Sequence, residues 1–158
     1  MKTIPLTGGG YAIVDDEDYE RVSACKWWTQ KGKGGCLYAV RSRGQLLHRE
    51  IMRVGPGQFV DHINRDGLDN RKANLRVCTN AQNMANQAKR KGTSSRYKGV
   101  HVTASGKYVA TIESAGTILH LGTFREEERA ARQYDRAARV FFGNFARTNE
   151  MLGLLPLR

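Results

Sequence analysis

Cysteine is scarce in this chain, and the little there is forms no pattern. Cys25, Cys36 and Cys78 make an odd set with no C-x-x-C pair, which argues against a zinc ribbon and against a disulfide framework. Free thiols point to a reducing compartment. The opening run Met1-Lys2-Thr3-Ile4-Pro5 lacks the apolar core of a secretory signal. No apolar run approaches the roughly 20 residues needed to span a bilayer. The expectation is a soluble cytoplasmic protein with no membrane partner. Acid is the other shortage: 15 Asp and Glu stand against 26 Lys and Arg, a net charge of +11 over 158 residues. That balance favours a polyanion, through counterion release from phosphates. A solvated basic face or a membrane surface would also use the charge, but no long basic amphipathic helix free of acids is present. No internal repeat is apparent. Hydrophobic residues make up 40% of the chain, enough for one ordinary core or two small ones.

Three regions follow from the patterning. In the first, Tyr11-Ala12-Ile13-Val14 predicts a strand, and the acids Asp15-Asp16-Glu17-Asp18 predict the start of a short helix, where they complement the positive end of its dipole. Lys26-Trp27-Trp28-Thr29 and Leu37-Tyr38-Ala39-Val40 predict strands around a glycine-rich turn at 32–35, with Trp27 and Trp28 as core and surface partners. Residues 46–52 carry apolar side chains at helical spacing. In the second region, Phe59-Val60-Asp61-His62-Ile63 predicts a strand ending in a polar loop, Leu75 to Thr79 a return strand, and Asn80 to Gln87 a helix capped by Thr79 or Asn80. Asp66, Asp69 and Asn70 are turn residues in this reading. The run 88–94 is polar and basic and is expected to be a linker, with Lys89, Arg90 and Lys91 able to lie along a phosphate backbone. The third region shows three short strands, Lys98 to Thr103, Lys107 to Glu113 and Ile118 to Phe124, then a helix from about Glu126 to Phe142. Thr123 and Glu126 have the spacing of a capping box. Ala130, Ala131, Tyr134, Ala137, Ala138 and Phe141 fall on one helical face, where small alanines permit close packing on a sheet.

The chemistry is concentrated between Val60 and Asn83. There an acid, an imidazole and several carboxamides are separated by strand and turn signals, so a compact hairpin could gather them. An acid to hold a metal and a histidine to activate water are what metal-assisted phosphodiester hydrolysis needs. Neighbours on a regular strand point to opposite faces, so a site using both Asp61 and His62 requires the strand to end or bulge near His62.

Val60-Asp61-His62-Ile63-Asn64, Asn70-Arg71, Asn74-Leu75-Arg76 and Thr79-x-x-Gln82-Asn83 together resemble the HNH endonucleases, in particular the phage and intron homing type. The resemblance covers about 46–87. It implies a ββα-metal finger with Asp61 as a metal-binding acid, His62 as the general base, Asn74 as the brace that keeps the imidazole aimed, and Asn83 as the second metal ligand. Many members have His at this last place. The implied cofactor is a divalent metal, Mg²⁺ or Mn²⁺. His48, in Leu47-His48-Arg49, fits a His-Arg pair found upstream in the family and is a further catalytic candidate, facing the site or a phosphate.

Tyr97-Lys98-Gly99-Val100, Gly106-Lys107-Tyr108-Val109-Ala110, Leu121-Gly122-Thr123-Phe124, Ala130-Ala131-x-x-Tyr134-Asp135-x-Ala137-Ala138 and Asn149 resemble the AP2 DNA-binding domain. That likeness implies a three-stranded sheet laid in the major groove of double-stranded DNA. Lys98, His101, Thr103, Lys107, Tyr108 and Thr111 are the candidate contacts, and Asp135 is a brace of the fold. His101, Thr103, Glu113 and His120 stand where plant members often have Arg or Trp, which implies a different and looser base preference.

The expected architecture is α+β. It comprises a nuclease region over 1–87 (core 46–87) with a β-rich N-terminal extension, a linker over 88–94, an AP2-like reader over 95–150 and a tail over 151–158. The expected function is a metal-dependent DNA endonuclease of phage or mobile-element type, in a phage-encoded or bacterial cytosolic setting, with no obligate protein partner implied. The alternatives are a DNA-binding regulator with a degenerate HNH part and a nuclease directed at RNA.

Overall fold

Ile4 and Leu6 point inward from a short N-terminal run whose alternate residues are exposed, and Ala12 and Val14 do the same from the next. That alternation builds β1 (Lys2–Thr7) and β2 (Tyr11–Val14), antiparallel partners through Lys2–Val14 to Pro5–Tyr11. Sequence patterning does not announce β1, because Pro5 sits within it. Pro5 lies before Leu6 and Thr7, the residues of β1 that pair with Trp27 and Trp28, so its missing N–H costs the ladder little. This computed structural model describes residues 1–32, 35–89, 92–114 and 116–156, and the chain divides into two compact units, Met1–Asn80 and Ala81–Arg158.

The first unit continues with α1 (Asp16–Ser23), whose first turn holds Asp16, Glu17 and Asp18, then β3 (Trp27–Lys31), β4 (Leu37–Arg41), β5 (Gln45–Leu46) and α2 (Leu47–Met52). Its five-stranded sheet runs β2-β1-β3-β4-β5. Trp27 is buried, with its indole N–H on the Val22 carbonyl at 2.8 Å, and Trp28 is exposed, as strand alternation requires. A separate two-stranded ladder pairs β6 (Phe59–His62) with β7 (Leu75–Cys78). Ile4, Leu6, Val14, Trp27, Leu47, Ile51, Val60 and Leu75 share one core, so α2 is anchored to both sheets by Leu47 and Ile51.

The loop between β6 and β7 is tied to the N-terminal sheet. The Ile13 N–H donates to the Leu68 carbonyl at 2.7 Å, and the Asn70 N–H donates to the Ile13 carbonyl at 2.8 Å. The Lys72 N–H reaches Asp15 Oδ2 at 2.7 Å, and Lys72 Nζ reaches Glu17. The β-rich extension is thus part of the wall that holds this loop.

Helix α3 (Asn80–Ala85) straddles the division. The second unit then forms β8 (Val100–Val102), β9 (Tyr108–Ser114) and β10 (Thr117–Phe124), an antiparallel sheet in the order β10-β9-β8, with α4 (Glu127–Phe142) across it. Ala130, Ala131, Tyr134 and Ala138 on α4 are buried among Val100, Ala110 and Ile112 of the sheet. The capping box does not form: Glu126 is the N-cap without a side-chain bond, and Thr123 is still in β10, with its hydroxyl 3.2 Å from His120 Nε2. Asp135 is a brace, as read from the sequence. Its carboxylate accepts from the Asn149 N–H (2.7 Å), Asn149 Nδ2 (2.8 Å) and the Glu150 N–H (3.1 Å), and Asn149 Oδ1 accepts from the Lys98 N–H at 2.7 Å. Leu155 is buried in the same core. Among the described residues no helix is long and apolar enough to cross a membrane.

Candidate active site

Strand β6 keeps a regular register to its last residue, with Asp61 opposite Arg76 and His62 opposite Leu75. Asp61 and Arg76 therefore share one face of the ladder, and His62 and Leu75 the other. The strand ends at His62, but with no bulge before it, so within the ladder Asp61 and His62 stand on opposite faces. Both side chains are buried. Arg76 sends Nε (2.9 Å) and Nη2 (2.7 Å) to Asp61 Oδ2.

Beyond His62 the chain turns through a network of carboxamides. The Ile63 N–H donates to the Asn74 carbonyl (2.9 Å) and the Asn64 N–H to Asn74 Oδ1 (3.0 Å). Asn74 Nδ2 donates to Asn64 Oδ1 (2.9 Å) and to the Asp69 carbonyl (2.7 Å). Asn74 thus ties both ends of the loop together. Asp69 is gripped by Arg71, with Nε on Oδ1 at 2.7 Å and Nη2 on Oδ2 at 2.6 Å, and this pair holds the Asp69 carboxyl below the usual range. The bond to the imidazole itself comes from a residue the sequence reading treated as a turn: Asn70, fully buried, places Oδ1 3.3 Å from His62 Nε2. An Asn oxygen can only accept, so this contact makes Nε2 the protonated nitrogen and leaves Nδ1 as the basic one. The signal for Asn70 lay in the Asn70-Arg71 motif, which turn propensity alone outweighed.

Two further rings lie close to that of His62. His48, second residue of α2, meets His62 edge-on with ring centres 4.9 Å apart, and Tyr38 of β4 lies 5.8 Å from His48 and 5.9 Å from His62. Tyr38 carried no sequence signal beyond strand alternation. Its place is set by two glycines: a Cβ at Gly32 would come within 2.6 Å of its ring, and one at Gly67 within 2.6 Å of the ring and 2.3 Å of the Leu37 carbonyl. Burial lowers the pKa of His62, partly offset by Asn70 and by the charges of Asp61, Asp66 and Asp69. His48 is pushed down to about 3, by burial first and then by His62 and Arg49. Burial raises the Tyr38 phenol. Two neutral imidazoles and a neutral phenol are thus packed against one another.

Asn83 lies on α3, half-buried, within the second unit. Among the described residues no three His, Cys, Asp or Glu gather into a closed metal cluster. Asp61 itself offers a carboxylate oxygen donor of the kind a hard divalent ion takes.

In the second unit, His101 and Lys107 are exposed, and Thr111 is half-buried opposite exposed His120. The Thr103 hydroxyl is engaged in the 103–107 turn, accepting the Lys107 N–H at 3.1 Å. Tyr108 packs against the core under α4. Lys98 Nζ donates to the carbonyls of Ala85 (2.5 Å) and Gln87 (2.8 Å), and Lys89 Nζ donates to the Thr93 hydroxyl. Arg90 and Lys91 lie outside the described residues.

Comparison with known proteins returns both halves of this picture. The family model for HNH endonucleases matches residues 52–85. An uncharacterized HNH endonuclease, L560, of Acanthamoeba polyphaga mimivirus is 32% identical over 149 residues, covering 90% of this chain and 76% of the viral protein. The C-terminal region matches AP2/ERF proteins. The AP2/ERF and B3 domain-containing transcription repressor TEM1 of Arabidopsis thaliana is 42% identical over 73 residues, 46% of this chain and 20% of the repressor. A putative AP2/ERF and B3 domain-containing protein of Oryza sativa subsp. japonica is 50% identical over 56 residues, 35% of this chain and 18% of its own length.

Proposed function

This chain belongs to the HNH endonuclease family, and from that premise we propose that it hydrolyses phosphodiester bonds of double-stranded DNA in a metal-dependent reaction, with its AP2-like unit gripping the duplex. The observation that carries the reading is the buried, neutral imidazole of His62 at a strand end, aimed by Asn70 and braced by the Asn74 network. The segment β6, β7 and α3 is read as the ββα-metal finger.

His62 takes the proton of the attacking water at Nδ1, the nitrogen that Asn70 leaves unprotonated. Asn70 fixes the ring, and His48 and Tyr38 exclude water from its flanks. Asp61 and Asn83 would hold Mg²⁺ or Mn²⁺, which supplies Lewis-acid stabilisation of charge on the leaving oxygen. Arg76 sets the carboxylate of Asp61 in place through two bonds to one oxygen. One site per chain cuts one strand, so a single chain nicks. The AP2-like unit, with His101, Lys107, Thr111 and His120 as contact candidates, raises the local concentration of DNA at the nuclease.

The Arg76 pair on Asp61 is also what a non-catalytic DNA-binding regulator would contain. Incubation of supercoiled plasmid with the full chain separates the two. Relaxed circles form with Mg²⁺ or Mn²⁺ and none with EDTA if the endonuclease reading holds. Retarded but intact plasmid in every metal would establish the regulator.

A further inference from the structure

Among the described residues, three that are not glycine hold a positive φ, and all three are arginines: Arg43 (63°), Arg53 (51°) and Arg65 (67°). A Cβ raises the energy of that region, which glycine enters freely. Arg53 has a local reason, since it closes α2 with its N–H on the carbonyls of Arg49 and Glu50. Arg43 sits in the tight turn before β5. Arg65 is set apart by its neighbours. It lies three residues past His62 and donates its N–H to the His62 carbonyl at 3.0 Å.

The side chain of Arg65 makes no ion pair among the described residues, whereas Arg71 and Arg76 on the same hairpin are held by Asp69 and Asp61. The adjacent Asp66 is not paired with it; its carboxylate accepts the Leu68 N–H at 3.0 Å inside the loop. The guanidinium is close enough to Tyr38 to pull against the upward shift of its phenol. A fork of N–H donors with no ion-pair partner among the described residues therefore lies near Tyr38, whose ring centre is 5.9 Å from that of His62, and its planar geometry matches two oxygens of a phosphodiester.

We propose that Arg65 grips a phosphodiester of the DNA beside His62, a cation kept at a left-handed backbone position that glycine would occupy at lower cost. This rests on the endonuclease reading for its location, and its test has an arm that needs no cleavage. Arg65→Gly removes the charge and relieves the backbone together, so the fold and the function should move in opposite directions. In the full chain, Arg65→Gly is expected to melt at or above the wild-type temperature while kcat/KM for duplex cleavage falls about tenfold to a hundredfold. In the His62→Ala background, the same change should flatten the slope of log affinity against log salt by about one. Arg65→Lys should restore that slope and only part of the rate. Wild-type cleavage and an unchanged salt slope in Arg65→Gly would overturn the proposal, as would a rate loss that tracks a fall in melting temperature. A chain that cleaves no DNA in any metal but shows the flattened slope keeps Arg65 as a phosphate contact and removes the nuclease reading instead.

Discussion

Replacing His62 with alanine is expected to slow plasmid cleavage by about 10²–10⁴-fold, the usual contribution of a positioned general base, while leaving duplex affinity close to wild type. Affinity should survive because the imidazole is buried and carries no charge to offer a phosphate. The rate should suffer because the imidazole's nitrogen is the proton acceptor in the proposed reaction, and the neighbouring His48 stays neutral to about pH 3 without being aimed by Asn70. The pH dependence has a definite sign. A base works when unprotonated, so the wild-type rate falls on acidification. Burial lowers the His62 pKa, so the midpoint of that fall lies below the ordinary imidazole value of 6.5. Single-turnover rates between pH 4 and 8, with thermal melts and gel shifts on both proteins, check each part. An acid limb centred above 6.5, or cleavage by His62→Ala within tenfold of wild type, would remove His62 as the base.

Gly99→Ala should abolish the fold of the AP2-like unit and with it the tight binding of duplex DNA. Gly99 holds φ at +74°, and a Cβ there would fall 1.9 Å from Cδ2 of Tyr134 and 2.3 Å from Cε2. The ring cannot step aside, because Tyr134 is buried in one core with Ile112, Ala138 and Phe142. Moving the backbone instead would break the bond from the Thr111 N–H to the Gly99 carbonyl at 2.8 Å, which ties residue 99 to β9. Backbone strain of about 1–3 kcal/mol adds to overpacking of about 1–3 kcal/mol. A unit of this size has little stability in reserve. Loss of its resonances in an ¹⁵N-correlation spectrum, with a weakened gel shift, is the expected result. A spectrum and an affinity like those of wild type would show that the unit absorbs the methyl group.

Much of this architecture is legible in the residues because short-range physics decides it. The alternation in Tyr11–Val14, Leu37–Arg41 and Tyr108–Ser114 and the alanine face of α4 each match an element. The exceptions share a cause. Pro5 masks β1, whose inward residues Ile4 and Leu6 are fixed by a core assembled from distant parts of the chain. Thr123 has the spacing of a cap but is claimed by β10. At the candidate site, Asp61, His62 and Asn74 are marked by the spacing of the motifs, whereas Asn70 looks like turn chemistry until its backbone is seen pinned to Ile13 and its oxygen turned to His62. Tyr38 and Arg65 are invisible for the same reason. A ring held between Gly32 and Gly67, and an arginine in a left-handed turn, are products of tertiary contacts and dihedral angles rather than of local pattern.

The most direct trial of the proposed metal site is anomalous scattering at the manganese edge from crystals of the full chain with a nicked duplex and Mn²⁺. One ion bonded to oxygens of both Asp61 and Asn83, with His62 turned toward the cleaved phosphate, is the result the proposed chemistry requires. Manganese bound only elsewhere, with Asp61 still paired to Arg76 and no metal contact, would contradict it.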